Sequence, residues 1–311
     1  MTTSLLVPSS LCREVGDKRE ATRKLGTVAR AAAVFRVDRL VVFPDPPGER
    51  RWGGGFVTTV LRYAATPPHL RKEAFGPRDE LEYAGVLPPL RVPSWTGSES
   101  NDSGSLRDGI VTQVGPEGRV RVTCGLQHPL SLRVPDGMSV TEGERVTVRV
   151  SSRRPVRARL VDEPTPGLRV VRQDLDAALA SDDAGLRIAT SRHAPPLTLE
   201  RLPGLCGTVE REGCTVAFGA PERGLPELLG VDTDALGTAD GDDGGVATAR
   251  DAGDGATDDH DEEDETAGGT ARRGRAPGGF DAWLNTIPDQ GSEVVRTEEA
   301  VLATLAPLNI R

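Results

Sequence analysis

The run Arg39-Leu40-Val41-Val42-Phe43 is apolar after its first residue and stops at the breaker Pro44-Asp45-Pro46-Pro47-Gly48. A short apolar run between turn signals is typical of a strand that is buried on both faces. Upstream, Leu5-Leu6-Val7 predicts another short strand, and apolar residues at helical spacing predict a helix over residues 16–36 that Asp17 caps. A strand, a helix and a strand in this order form a βαβ unit, so the fold class is α/β with a parallel sheet.

The middle of the chain has a different pattern. Residues 56–64 predict a second helix, residues 67–93 predict irregular structure, and residues 93–105 have the composition of a linker. Five pieces then alternate apolar and polar residues between turns, namely GIVTQV, GRVRVTC, LSLRV, ERVTVRV and VRARLV. They predict a small OB-like β-barrel over residues 105–163, inserted between two α/β portions at residues 1–95 and 164–311.

Arginine is frequent in the predicted barrel strands. Such a set could form a basic face for nucleic acid, which is a common ligand of these barrels. It could equally be the polar, outward half of each strand, because side chains alternate between the two faces. The sequence gives both readings equal weight for Arg119, Arg121, Arg149, Arg153, Arg154, Arg157 and Arg159.

The α/β pattern returns after Pro164. The pieces LRIA (186–189), CTVAF (214–218) and FDAWL (280–284) predict buried strands, and residues 293–305 predict the final helix. Between them, residues 237–279 consist mainly of Asp, Glu, Gly, Ala and Thr. This tract has too few apolar residues to order itself, so we expect a disordered acidic insertion in which His260 is solvated.

Composition narrows the class of protein. The chain has 311 residues, a net charge of −9 and no apolar run of membrane-helix length. It has no basic, apolar leader, so we expect a cytoplasmic protein that does not bind membranes. Of its 38 basic residues only three are lysine, which is typical of an extreme halophile or of a GC-rich genome. The four cysteines lack the spacing of a zinc site, and we expect free thiols and no metal.

Common catalytic motifs are absent from the sequence. It has no G-x-x-x-x-G-K-[ST] phosphate loop, no G-x-G-x-x-G fingerprint, no G-x-S-x-G elbow and no H-E-x-x-H zinc motif. Three segments instead follow predicted strands, where α/β proteins place their ligand loops. They are ATSR (189–192), FGAPERGLP (218–226) and NTIPDQGS (285–292), which supply glycines for close approach and polar groups for hydrogen bonds.

Several segments together resemble one protein family. LNTIPDQGS (284–292) and RTEEAVL (296–302) are similar to the C-terminal signature of an archaeal and eukaryotic family of RNA methyltransferases of the SPOUT class. PPHLRK (67–72) and YAGVLPPL (83–90) resemble another region of that family. The ATSR and FGAPERGLPE loops fall where the family has its other ligand loops, so the similarity runs nearly end to end apart from the acidic tract.

The resemblance implies an α/β methyltransferase domain with a C-terminal trefoil knot, an inserted OB-like barrel and a homodimeric assembly. It also implies that three knot loops bind S-adenosylmethionine. Carried over by position, the cofactor-binding residues are Thr190, Ser191, Arg192, Phe218, Gly219, Gly224, Asn285, Thr286, Ile287, Gln290 and Gly291. The chain departs from the family pattern at Ala220 and at Glu222-Arg223, so the carry-over there concerns backbone contacts more than side chains.

The resemblance further implies an RNA substrate, with uridine N3 of ribosomal or other structured RNA as the suspected target. Glu298 and Asp289 are then candidate bases for the imide proton, and Arg296 could stabilise negative charge on the base. The alternative is that Glu298 and Glu299 complement the first turn of the last helix. The alternative function is a non-catalytic RNA-binding or ribosome-assembly protein that keeps the fold, although three intact cofactor loops favour the enzyme.

Overall fold

The computed structural model describes residues 1–92, 105–116, 118–165, 167–237 and 276–309. In chain order, the strands and helices are β1 Thr3–Pro8, α1 Lys18–Val34, β2 Arg39–Phe43, α2 Gly54–Ala65, α3 Arg71–Ala74, β3 Ser105–Val114, β4 Arg119–Thr123, β5 Leu130–Arg133, β6 Arg145–Arg153, β7 Val156–Val161, β8 Arg169–Arg172, α4 Leu175–Leu179, β9 Leu186–Thr190, α5 Leu202–Glu212, β10 Cys214–Ala217, α6 Leu225–Leu229, α7 Asp234–Gly237, β11 Ala282–Leu284 and α8 Thr297–Leu308. Short 3₁₀ turns and α3 make up the irregular structure predicted before residue 93.

The larger sheet has six parallel strands in the spatial order β11-β9-β10-β1-β2-β8. The predicted βαβ unit is confirmed, because β1 and β2 pair in parallel on either side of α1 in the chain. Asp17 caps α1 as predicted, and its Oδ1 accepts the backbone N–H of Arg19 at 2.7 Å. Leu5 and Leu6 on β1 point to opposite faces and are both fully buried, as expected of a parallel sheet covered on both sides.

The five strands predicted for the barrel are confirmed. β3 to β7 form an antiparallel, nearly closed sheet in the order β5-β4-β3-β6-β7. Val120 and Val122 point into its core, whereas Arg119 and Arg121, which alternate with them, are exposed. Arg149 pairs with Glu163, but Arg121 forms no ion pair with any described residue. The outward placement of these arginines agrees with both of their readings.

The predicted bounds of the last helix are wrong. Residues 293–296 are not helical, and α8 runs from Thr297 to Leu308. The backbone of Arg296 is extended, and Glu299 Oε2 accepts the backbone N–H of Arg296 at 2.9 Å, which fixes the start of the helix. The capping alternative is therefore confirmed for Glu299.

Other differences concern short or polar segments. The edge strand β8 pairs with β2 and escaped prediction because its apolar content is only Val170 and Val171. Residues 93–104 of the expected linker and 238–275 of the expected acidic insertion, with His260, lie outside the described residues. Residues 276–279 were expected to be disordered, but Ala276 N–H donates to the Phe280 carbonyl at 2.8 Å and Pro277–Gly279 form a 3₁₀ turn.

The topology brings three loops to one edge of the larger sheet. β9 pairs in parallel with both β10 and β11, so that Ala189 lies opposite Ala217 and Thr190 opposite Leu284. The loops that follow these strands therefore meet. β1 and β2 end at the same edge, beyond β10. No helix among the described residues is long and apolar enough to span a membrane.

Candidate functional site

A cavity of about 400 Å³ lies where the loops after β9, β10 and β11 meet. Its volume falls in the range of small-molecule sites. The structure brings almost all of the predicted cofactor-binding residues into its wall, and Gly291 is the exception. The predicted residues that line it are Thr190, Ser191, Arg192, Phe218, Gly219, Gly224, Asn285, Thr286, Ile287 and Gln290.

Hydrogen bonds join the first loop to β10 and to the third loop. The Thr190 hydroxyl donates to the Ala217 carbonyl at 2.9 Å, and the Asn285 amide nitrogen donates to the Arg192 carbonyl at 3.0 Å. Asn285 Oδ1 also accepts the backbone N–H of Ile287 at 3.0 Å, which forms a local turn. These polar side chains fix the loops, so backbone groups are left to face a ligand.

The second loop is tightly folded around Gly219. A Cβ atom at this residue would lie 2.7 Å from the backbone nitrogen of Leu225 and 2.9 Å from the carbonyl oxygen of Arg223. Both neighbours are backbone atoms, so only glycine fits. The next turn places Glu222 at φ 57°, in the left-handed region that favours glycine. The Ala220–Arg223 backbone pair closes this turn with hydrogen bonds of 3.0 and 3.1 Å.

The last helix, α8, and the segment before it form another part of the cavity wall. The Thr297 hydroxyl donates to the Gly219 carbonyl at 3.0 Å, and the hydroxyl groups of Thr286 and Thr304 are 2.9 Å apart. Thr297 and Ala300 line the cavity, as do Glu293, Val294 and Val295 of the preceding segment. This segment contributes cavity wall instead of the helical turn expected from sequence.

The proposed catalytic residues occupy other positions. Glu298 is buried on the side of α8 that faces α1, where its Oε2 is 3.6 Å from Lys24 Nζ. Arg296 is exposed, and its backbone is held by Glu299. Neither side chain lines the cavity, nor does Asp289. Their catalytic roles stay predictions.

Sequence reasoning did not select several charged cavity residues. Arg223 belongs to the second loop, whereas His193, Glu227 and Glu293 each follow one of the three predicted segments by a single residue. Arg192 Nε donates to His193 Nε2 at 3.1 Å, so these two side chains form one polar wall. Their position in or next to the three segments was the signal that could have identified them. Among the cofactor-binding residues, the sequence argument instead selected only one charged side chain, Arg192.

The cysteines and the possible metal ligands of the described part of the chain are dispersed. All four cysteines are free, and Cys12, Cys124 and Cys214 are buried. Burial raises the pKa of the Cys214 thiol to about 11, so it stays protonated and unreactive. No group of His, Cys, Asp and Glu suited to a metal ion occurs among the described residues.

Loops that converge on a small-molecule cavity at the carboxyl edge of a parallel sheet define a ligand-binding α/β protein. The chain belongs to the family described as "Putative RNA methyltransferase", whose model matches residues 2–308. It is 65% identical to an uncharacterised protein of Halobacterium salinarum, over all of this chain and 99% of that protein. It is also 25% identical to the human 28S rRNA (uridine-N(3))-methyltransferase, over 99% of this chain and 77% of the human one. A 62% identical relative occurs in Haloarcula marismortui.

Proposed function

We propose that the protein is an S-adenosylmethionine-dependent RNA methyltransferase that modifies uridine N3 in ribosomal or other structured RNA. The observation that carries the proposal is the convergence of three loops on one cavity in a chain of this family. The name of the human relative supports uridine N3 as the target atom. An RNA substrate fits a family of RNA methyltransferases.

The cavity fits the cofactor on two grounds. Its volume of about 400 Å³ suits a nucleoside-sized ligand. Gly219 in the cavity wall allows the second loop to fold tightly beside the cavity, since any side chain there would collide with the backbone of Leu225 and Arg223. Thr190, Ser191 and Arg192 would hold the ligand on one side and Asn285, Thr286, Ile287 and Gln290 on the other, with Phe218, Gly219 and Gly224 between them.

When bound, S-adenosylmethionine supplies a methyl group on a sulfonium ion. The chain must then orient uridine N3 towards that methyl group and dispose of the N3 proton. Glu222 and Glu293 are carboxylates in the cavity wall that can accept a proton, and Glu298 is not in that wall. A positioned base contributes about 10²–10⁴-fold in rate.

The proposal includes the SPOUT architecture. Residues 1–95 and 164–311 would form one trefoil-knotted domain, the barrel at 105–163 would be an insertion, and two chains would form a homodimer. The barrel would contact RNA through its outward arginines. In molar salt the Debye length is about 3 Å, so the net charge of −9 would not repel RNA at a distance. We also propose a cytoplasmic location, which fits an enzyme that modifies RNA.

Two measurements test this function. Calorimetric titration of S-adenosylmethionine into the protein in molar KCl should give one site per chain. Incubation with unmodified large-subunit rRNA and the cofactor, followed by mass spectrometry of nucleosides, should give N3-methyluridine. RNA binding with neither cofactor binding nor methylation would instead establish the non-catalytic RNA-binding alternative.

A further inference from the structure

A buried carboxylate stands at the end of β2, beside the cavity. The Asp45 side chain is 3% exposed, and its Oδ2 accepts the Ser10 hydroxyl at 2.5 Å. Its backbone N–H donates to Ser9 Oγ at 2.8 Å. Arg223 Nε lies 3.1 and 3.2 Å from the two Asp45 oxygens. The loops after β1, β2 and β10 are thus joined through one ion pair that spans 178 positions of sequence.

The pair is closely packed against Gly48. A Cβ atom at Gly48 would lie 1.9 Å from Asp45 Oδ2 and 2.9 Å from Arg223 Cδ. The ion pair is costly to break, because the buried Asp45 carboxylate would be left without its cation. Arg223 is therefore fixed by its surroundings before any ligand arrives.

The guanidinium of Arg223 has donors left for a ligand. Nε is used by Asp45, and Nη1 donates to Glu227 Oε1 at 2.6 Å. Nη2 donates no hydrogen bond to the residues that the structure describes. The hydrogen bond that Arg223 donates to Asp45 raises the pKa of Arg223, so the side chain is cationic at every accessible pH. Arg223 also lines the cavity.

Arg223 lies on the second ligand loop, but its side chain is held by a residue from outside the three ligand loops. Those loops follow β9, β10 and β11, whereas the partner that holds Arg223 follows β2, two strands beyond β10 in the sheet. Adjacent strands are about 4.8 Å apart, so β2 lies about 10 Å from β10. Arg223 is thereby held on the side of the second loop that faces away from β9 and β11.

We propose that Arg223 binds the target base and that Asp45 is its positioning residue. This inference rests on the proposed function. Nη2 would donate to a carbonyl oxygen of uracil. As N3 loses its proton to water or a carboxylate, negative charge grows on that oxygen. N3 then forms its bond to the methyl carbon, and the sulfonium–methyl bond breaks to leave a neutral thioether. A fixed cation next to the oxygen stabilises the anionic base through this sequence.

The inference makes a distinctive prediction for Arg223→Gln. Single-turnover methylation at saturating cofactor and RNA should fall by about 10²–10³-fold, the usual cost of removing one such donor. The midpoint of the pH–rate profile should move to higher pH, because the ionised base loses its stabilising cation. Cofactor affinity measured by calorimetry should stay unchanged. Arg23→Gln is the matched control, since Arg23 is an exposed arginine on α1 and outside the network.

Asp45→Asn should lower the rate less and shift the profile in the same direction. The double variant Asp45→Asn/Arg223→Gln leaves no unpaired buried charge, so it keeps the test valid if either single variant unfolds. A weaker cofactor affinity that accounts for the rate loss would overturn the inference, because Arg223 would then bind the donor. A uniform loss without a shifted profile would overturn it as well, since that is the result of a merely structural role. A wild-type protein that neither binds the cofactor nor methylates RNA would remove the proposed function, and this inference with it.

Discussion

The two sheets use their side chains in different ways. In the parallel sheet, Leu5, Leu6 and Val7 follow one another and are all fully buried, so neither face of the strands is free. In the barrel, Val146, Val148 and Val150 alternate with outward residues such as Arg149. The parallel sheet can therefore act only through the loops at its edge, whereas the barrel can act through the strands themselves.

Because of this difference, substitutions in the two sheets should affect different properties of the protein. Changes at the loop edge of the parallel sheet should alter ligand binding, and changes between its layers should alter stability. Changes on the outer face of the barrel should alter contacts with a partner and leave both other properties intact. Variants in each place can show whether the two sheets act independently.

The largest effect is expected for Lys24→Met, between α1 and α8. Lys24 is buried, forms an ion pair with Glu14 and lies 3.6 Å from Glu298. Its loss would leave the buried Glu298 and the partly buried Glu14 without a cation and lower the free energy of unfolding by about 3–5 kcal/mol. Denaturant titration in molar KCl measures this change. Lys18→Met is the control, because Lys18 pairs with exposed Asp79, and it should cost far less. Equal losses in both variants would contradict the prediction.

Gly219→Ala should weaken S-adenosylmethionine binding on the order of 100-fold, because the added methyl group must displace the backbone of the second loop. Gly55→Ala on α2 is the matched control. Its Cβ would meet no atom within 4 Å, and Gly55 does not line the cavity. Calorimetry of both variants checks the expectation. Full affinity in Gly219→Ala would mean that the ligand does not approach this loop.

A smaller effect is expected on the barrel. Arg121→Gln should weaken binding of ribosomal RNA about fivefold and reduce the slope of log K against log salt by about 1, as for one lost phosphate contact. Cofactor affinity should not change. Arg19→Gln on α1 removes an equally exposed arginine far from the barrel in sequence. If both variants bind RNA equally well, the arginines are only the polar half of their strands.

The smallest effect concerns the junction between the two sheets, where the His69 ring lies 2.8 Å from the position that a Cβ on Gly125 would take. Burial lowers the pKa of His69 below its usual 6.5. The unfolded chain then binds this proton more readily, so stability is lost as pH falls below about 6.5. His69→Gln should flatten that part of the profile of melting temperature against pH. Exposed His128→Gln should leave the slope as it is.

Local patterns in the sequence predicted most of the fold. The run of residues 39–43, the helix after Asp17 and the five alternating barrel strands each carry their signal within a few residues. β8 lacks such a signal, because a four-residue strand at a sheet edge needs only two apolar residues. The start of α8 was missed because its backbone is fixed by one side chain, Glu299, and by the Thr297 contact to the second loop.

The candidate site was predictable where a motif carried it. Loops after strands marked most of the residues that line the cavity. The Asp45–Arg223 pair was not predictable, since Asp45 looked like part of a breaker and its partner is 178 positions away. Glu298 is excluded from the cavity because it packs against Lys24 of α1, a contact between distant residues that no local pattern shows.

The bond from Thr297 to the Gly219 carbonyl joins the first residue of the last helix to the loop that would hold a ligand. A ligand that orders this loop would also hold the beginning of α8 in place. The start of α8 thereby reports whether the cavity is occupied. The amide protons of its first turn should exchange with solvent more slowly as the cavity fills, by mass action. Thr297 and Ala300, on the last helix of the described residues, thus form part of the wall of the cavity in which the ligand would bind.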